Sequence, residues 1–236
     1  MSGLILRADG IRKKYGAKLA LENFSIDACG GQIIGLLGPN GSGKTTFLKL
    51  TAGLVKPTAG SIVLLGLSPG PRARARVSFM STEEYLYAAM RIQDVIKFYS
   101  DMFADFDQKK CLDYLQFFYL TPDMKVRNLS TGMRAGLKMV LAFSRRAAVI
   151  LLDEPLNGID VVARDLVIDL IKKEKRDDCV VFVTSHLVDE LEEIIDYAVF
   201  LARGVTVLSG RARELLAERG CSLNDLYREV YRGKID

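Results

Sequence analysis

Gly38-Pro39-Asn40-Gly41-Ser42-Gly43-Lys44-Thr45-Thr46 fills every fixed position of the pattern Gly-x-x-x-x-Gly-Lys-Ser/Thr. The residues before it, Ile33-Ile34-Gly35-Leu36-Leu37, form a short apolar run of the kind buried as a strand. Those after it, Phe47-Leu48-Lys49-Leu50-Thr51-Ala52, read as the first turns of a helix. Strand, glycine-rich loop and helix in that order is the setting of a phosphate-binding loop. Glycines let backbone N–H groups turn inward and approach phosphate oxygens. The helix start adds partial positive charge at the same place. The pattern assigns Lys44 to the β- and γ-phosphates and the Thr45 hydroxyl to Mg²⁺. The loop therefore implies a nucleoside triphosphate, without saying what its energy drives.

The flanking chain bounds the answer. It has 236 residues, 49% of them hydrophobic, which is enough for a sizeable core. No apolar run approaches the about 18 residues that span a bilayer; Val149–Leu152 and Val180–Val183 have the length of strands. Met1–Ala8 carries no signal-peptide pattern, so a cytoplasmic protein is expected. Net charge is a mild +4. Arg72, Arg74 and Arg76 would share one face of a strand. Lys172, Lys173, Lys175 and Arg176 fall at the end of a helical pattern, where cations suit the helix dipole. Neither cluster demands nucleic acid, which is not an expected partner. Cysteines 29, 111, 179 and 221 have no metal-site spacing and read as free thiols in a reducing compartment.

Along the chain, Leu4–Ala8 and Ala20–Ala28 read as alternating strands around a turn near Tyr15-Gly16, followed by strands at Ser61–Leu65 and Val77–Met80. From Tyr85 to Tyr119 apolar residues fall at helical spacing, and a second helical pattern runs from Ser130 to about Arg145. Strands then alternate with helices: Val149–Leu152, Ala163–Lys175, Val180–Thr184, Val188–Ile195. Tyr197–Leu201 and Val205–Leu208 suggest a hairpin, with helical segments at Arg211–Glu218 and Leu223–Tyr231. This order predicts an α/β fold whose sheet is mostly parallel.

A second element of the site is Val149-Ile150-Leu151-Leu152-Asp153-Glu154. Four apolar residues ending in two acids describe a buried strand that delivers carboxylates to its C-terminal end, where parallel sheets bind ligands. Asp153 would serve Mg²⁺ through water, and Glu154 would orient or deprotonate an attacking water. A core strand closed by a solvated acid pair is the plainer reading, and the glycine loop upstream weighs against it. Between the two elements, Asn128-Leu129-Ser130-Thr131-Gly132-Met133 looks like a turn feeding a helix, with Ser130 as its cap.

With that segment in place the chain resembles the nucleotide-binding subunits of ABC transporters over essentially its full length. Leu129-Ser130-Thr131-Gly132-Met133 is similar to the family signature, usually Leu-Ser-Gly-Gly-Gln, which acts on the γ-phosphate held by a second subunit in a head-to-tail dimer. The resemblance implies that Ser130 and Gly132 act in trans, that Tyr15 stacks on adenine, and that Asn157-Gly158-Ile159-Asp160 crosses the dimer interface. It also makes His186, the one histidine of the chain, a switch that contacts the γ-phosphate. Catalysis would then rest on Glu154, His186 and Lys44, and nucleotide binding on Tyr15 and the whole loop from Gly38 to Thr46. The implied fold is a P-loop NTPase core with an N-terminal antiparallel β subdomain and an inserted helical subdomain. The whole, residues 1–236, would be a single nucleotide-binding domain. Its helical subdomain would cover about 82–143 and its short tail about 210–236.

Two features depart from the family pattern. Met133 and Thr131 replace a signature glutamine and glycine. The family's glutamine at the junction with the helical subdomain is also missing: glutamines stand only at 32, 93, 108 and 116. Thr82 aligns best with it and Glu83 next, and either offers Mg²⁺ a hard oxygen. The resemblance implies ATP and Mg²⁺ as ligands and a membrane-spanning transporter subunit as partner. It further implies a second ATP-binding subunit, identical or paralogous, and a place on the inner face of the membrane. The tail at Cys221–Glu229 is similar to those of exporter-type subunits for drugs, peptides and lantibiotics, so export is expected. A non-transport ABC ATPase acting on nucleic acid or ribosomes is the alternative.

Overall fold

A computed structural model describes residues 3–232, and of residues 161–163 the backbone alone; residues 1, 2 and 233–236, which end the expected tail, lie outside it. Strand β3 (Gln32–Leu37) leads into the glycine loop, and α1 (Lys44–Thr51) leaves it. Strand β3 lies inside a six-stranded sheet together with β5 (Val77–Met80), β6 (Val149–Asp153), β7 (Val180–Ser185), β8 (Tyr197–Ala202) and β9 (Val205–Arg211). The order is β5-β6-β7-β3-β8-β9; β9 alone runs antiparallel, as the return of the expected hairpin. Register pairs Asp153 with Thr184 and Leu37 with Ser185, so the ends of β3, β6 and β7 stand side by side at one edge.

Period-two alternation decides which core each strand residue enters. Ile150 and Leu152 of β6 face one cluster, which holds the helices that follow β5. Val149 and Leu151 face another, with α1 and a three-stranded antiparallel sheet of β1 (Leu4–Tyr15), β2 (Lys18–Cys29) and β4 (Ala59–Leu64). Phe47 of α1 joins those layers, its ring centroid 4.5 Å from that of Phe24 and 5.5 Å from that of Phe182.

The expected helical region between β5 and β6 is present but divided. After a short helix α2 (Pro71–Arg74), ahead of β5, come α3 (Ile92–Met102), α4 (Gln108–Leu115) and α5 (Thr131–Phe143). Residues 85–91 are loop, because Arg91 and Asp94 close a capping box that starts α3 only there. Asp107 caps α4 by accepting from the Lys110 N–H at 2.9 Å.

Three local expectations are corrected. Arg72, Arg74 and Arg76 share no strand face, since Pro71 at the first helical position starts α2 and Arg76 follows it. Val188–Ile195 is not a full helix: one 3₁₀ turn spans Val188–Leu191 before the Asp196 N–H joins the Ile33 carbonyl and the chain enters β8. The antiparallel region extends further than Leu4–Ala8, with β1 running through irregular pairing to Tyr15.

The second basic cluster is paired: Lys172 with Glu193, Lys175 with Asp196, and Arg176 with Glu174 and Asp178. All four cysteines are free, and burial pushes the thiols of Cys111 and Cys179 up to about 11 and about 12. No helix among the described residues is long and apolar enough to cross a membrane.

Gly136, an unfavourable residue inside a helix, is explained by packing. A Cβ there would stand 2.4 Å from the Phe118 ring, so glycine is what lets the 3₁₀ turn after α4 lie against α5.

Candidate nucleotide site

The glycine loop owes its shape to backbone that other residues disfavour. Gly38 has φ 152°, and a Cβ there would meet the Leu201 carbonyl at 2.4 Å. Around the loop opens a cleft of about 370 Å³ lined by Tyr15, Lys18, Asn40 to Thr46, Thr82, Glu154 and Asn157. Tyr15 ends β1 half exposed, with the Lys13 ammonium 4.7 Å from its ring centroid. Inside the loop the buried Ser42 hydroxyl has no hydrogen-bond partner, an unmet polar atom where phosphate oxygens would lie. Gly38 and Pro39 themselves bond the Lys44 ammonium, which donates to their carbonyls at 2.6 and 3.1 Å. Burial pulls the Lys44 pKa down, and the carboxylates of Glu154 and Asp153 oppose that shift.

Asp153 is 1% exposed and surrounded by hydroxyls. Thr45 is 3.0 Å from each of its carboxylate oxygens, Thr184 donates at 2.8 Å and Thr82 at 3.3 Å. One carboxylate with several hydroxyls is a hard-oxygen set that suits Mg²⁺. Among the described residues no group of three or more His, Cys, Asp or Glu gathers. A cation seated here would complete its shell with phosphate and water oxygens, as Mg²⁺ commonly does. Thr82 thus faces Asp153, whereas Glu83 points away and accepts from the Lys49 ammonium at 2.6 Å.

Glu154 follows at φ 49°, a left-handed conformation rare outside glycine. Its N–H donates to the Thr184 hydroxyl at 2.8 Å, which helps hold that turn. Its carboxylate then spans two partners: Lys44 at 3.9 Å and His186 Nδ1 at 2.8 Å, with the His186 N–H at 3.3 Å. The C-terminal ends of β6 and β7 therefore bring Asp153, Glu154 and His186 to the mouth of the glycine loop.

The segment Leu129–Met133 does not line this cleft. Leu129 is buried, and Ser130 caps α5, its hydroxyl accepting from the Met133 N–H at 3.2 Å. Gly132 lies against the turn after β6, where its Cβ would be 3.3 Å from the Gly158 carbonyl; a Cβ on Gly158 would be 2.9 Å from Thr131 Cγ2. Ile159 is buried, and the Asp160 carbonyl accepts from the Arg164 N–H at 3.0 Å. Thr131, Asn157 and Gly158 share a second cleft of about 280 Å³ with Thr82, Asp153 and Glu154.

The sequence reading did not single out Thr184, Lys18 or Lys138, which the fold brings to this neighbourhood. Thr184 carried one signal, a polar residue at the end of an apolar strand; its use depends on β7 lying next to β6.

Residues 21–157 match the family model for the ABC transporter. The chain is similar to the Nod factor export ATP-binding protein I of Ralstonia nicotianae, 32% identical over 232 residues covering 94% of this chain and 72% of the relative. It is 32% identical to the uncharacterized ABC transporter ATP-binding protein YdbJ of Bacillus subtilis over 211 residues, 86% of this chain and 68% of that one. In fold it is similar to an ATP-binding subunit of an ABC transporter, with TM-score 0.87 at 23% identity over 96% of this chain and 99% of the other. A dimeric ATP-binding cassette in a post-hydrolysis state with ADP and Pi matches with TM-score 0.79 at 20% identity, over 89% and 99%. The glycine loop, the buried Asp153 and the Glu154–His186 pair fit these likenesses, and the chain belongs to the ABC transporter family as an ATP-binding, ATP-hydrolysing subunit.

Proposed function

We propose that this chain powers an exporter by closing head to tail on a second ATP-binding subunit, each glycine loop completed by Ser130 and Gly132 of the other copy. The observation that carries the reading is the separation of the two halves: Lys44, Thr45 and Glu154 line the cleft of the glycine loop, with Asp153 bonded to Thr45 and His186 to Glu154, and Ser130 and Gly132 stand outside that lining. Export relatives among the similar chains support the direction. Lys172, Lys175 and Arg176 are paired with acids, which weighs against the nucleic-acid alternative at that cluster.

In this reading residues 1–236 work as one nucleotide-binding domain, whose helical subdomain at about 82–143 contains α3 to α5. Tyr15 stacks on adenine, and backbone N–H groups from Gly38 to Thr46 cradle the phosphates. Lys44 turns from the carbonyls of Gly38 and Pro39 to the β- and γ-phosphates. Thr45, Thr82 and Asp153 are the residues that would hold Mg²⁺, Asp153 through water; when bound, the ion would offset phosphate charge. Glu154 takes a proton from, or orients, the attacking water, and His186 holds the Glu154 carboxylate in place. Asn157 to Asp160 carry the state of the cleft to the partner ATPase.

The membrane-spanning subunit would dock at an apolar groove of about 440 Å³ whose lining includes Phe79, Tyr85, Tyr99 and Phe103 as well as Lys49 and Arg145. Tyr85, Tyr87 and Phe98 are exposed on this subdomain, whereas Tyr99 packs on Phe103 and Phe106. That docking would place the chain on the inner face of the membrane.

The test is Glu154→Gln. The variant should bind Mg-ATP, run as a dimer in light scattering, and turn over about 10²-fold or more slower. A variant that stays monomeric at saturating Mg-ATP overturns the head-to-tail reading. Lys44→Ala should abolish ATP binding by calorimetry, and unchanged affinity would overturn the assignment of the loop.

A further inference from the structure

The stretch from Ser81 to Tyr85 leaves β5 and runs between α1 and α5, and charged side chains tie it on both sides. Lys49 of α1 holds the Glu83 carboxylate at 2.6 Å, and Arg134 of α5 holds Glu84 at 3.1 Å. Lys138, one turn further along α5, is the buried member at 6% exposed. Its ammonium donates to the Glu83 carbonyl at 2.7 Å and the Ser81 carbonyl at 3.4 Å, 3.8 Å from the Glu84 carboxylate and 5.0 Å from the Tyr85 ring centroid. A buried ammonium destabilises a fold unless its donors are met. Here they are met by carbonyls on either side of Thr82, the residue whose hydroxyl lies 3.3 Å from Asp153.

We infer that Lys138 is a positioning residue: it grips the backbone on both sides of Thr82 and so sets the Thr82 hydroxyl against Asp153. The inference rests on reading Thr45, Thr82 and Asp153 as the seat of a divalent cation. No glutamine stands at this junction, and a short threonine side chain reaches the cation only if its backbone is held close. The lysine does that holding from α5, the helix whose first turn carries Thr131 and Gly132 and whose cap is Ser130.

The experiment uses Mn²⁺ as probe, titrated by electron paramagnetic resonance into the whole chain with a non-hydrolysable ATP analogue. Binding of a fluorescent ATP analogue without metal is measured in parallel. Lys138→Met keeps the stem and removes the ammonium. It should weaken Mn²⁺ about tenfold, the size of one lost charge-assisted hydrogen bond, with metal-free nucleotide affinity kept within about twofold. Lys138→Arg should recover most of the loss. Unchanged Mn²⁺ affinity in folded Lys138→Met, an equal loss of metal-free affinity, or no recovery by arginine each overturns the proposal. Thr82→Val carries the same test should Lys138→Met not fold: a similar loss of Mn²⁺ affinity is expected, and none overturns the proposal. If the unaltered chain with nucleotide takes up no Mn²⁺, the cation seat itself fails, an outcome separate from failure of Lys138.

Discussion

The Thr184 hydroxyl donates to Asp153 at 2.8 Å and accepts from the N–H of Glu154 at 2.8 Å, so one side chain on β7 sets both acids at the end of β6. Thr184 is fully buried, and water cannot take its place. Thr184→Val keeps the shape and removes both bonds. It should destabilise the chain by about 1–3 kcal/mol, the cost of leaving buried groups unmet, and should lower turnover more than ATP affinity. Thermal unfolding and steady-state kinetics check this; an unaltered turnover number would count against Thr184 as the residue that orients Glu154.

Gly136→Ala tests helix propensity against packing. Propensity alone favours alanine by about 1 kcal/mol. The Phe118 ring, 2.4 Å from the new Cβ, opposes it. Overpacking of this kind costs about 1–3 kcal/mol, so a net loss of stability is expected, and Phe118→Leu in the same chain should restore part of it. A midpoint that rises in Gly136→Ala would show that the turn after α4 yields freely.

Glu84 supplies a pH dependence. Burial raises its pKa, but the Leu86 N–H, Arg134 and Lys138 together bring it below the ordinary value of 4.5. A carboxyl with a depressed folded pKa stabilises the fold above its unfolded value, and that stabilisation fades as pH falls through the folded one. With the side chain 45% exposed, solvent screening limits it to about 0.5 kcal/mol. The urea midpoint of Glu84→Gln should fall below that of the unaltered chain near neutral pH and converge with it below about pH 4. A constant difference across that range would remove Glu84 as the titrating group.

Tyr231 ties the C-terminal helix (Leu223–Tyr231) to the nucleotide loop. Its buried hydroxyl is 3.0 Å from the carbonyl of Leu37, the residue before Gly38, and 2.9 Å from that of Leu201. Tyr231→Phe should cost about 1 kcal/mol, which for a chain of this size lowers the thermal midpoint by about 2–4 °C. ATP affinity should fall with it if that helix steadies the loop entrance, and calorimetry on the same variant measures that.

What could be read from residues in order is what contiguous chain builds by itself. The glycine loop is a contiguous pattern that names itself in the sequence, although Gly204 and Tyr231 bond the loop and its entrance in the fold. The acids at 153 and 154 follow directly from the strand that carries them, and Ser130 bonds an N–H three residues away. These local units, together with the alternation of strand and helix, made the P-loop fold and the core of the site legible in the sequence. Tertiary structure alone decided the rest, because it turns on strand order and on charges far apart in the chain. Thr82 rather than Glu83 meets Asp153, since Lys49 draws the glutamate away. Thr184 serves both acids because β7 lies beside β6. Lys138 reaches the carbonyls around Thr82 only once α5 has folded back over β5, and Gly136 acquires its reason only when Phe118 arrives against it. The loop reads from sequence because its residues are contiguous; the residues that aim its chemistry come from elements brought together by burial of the two cores.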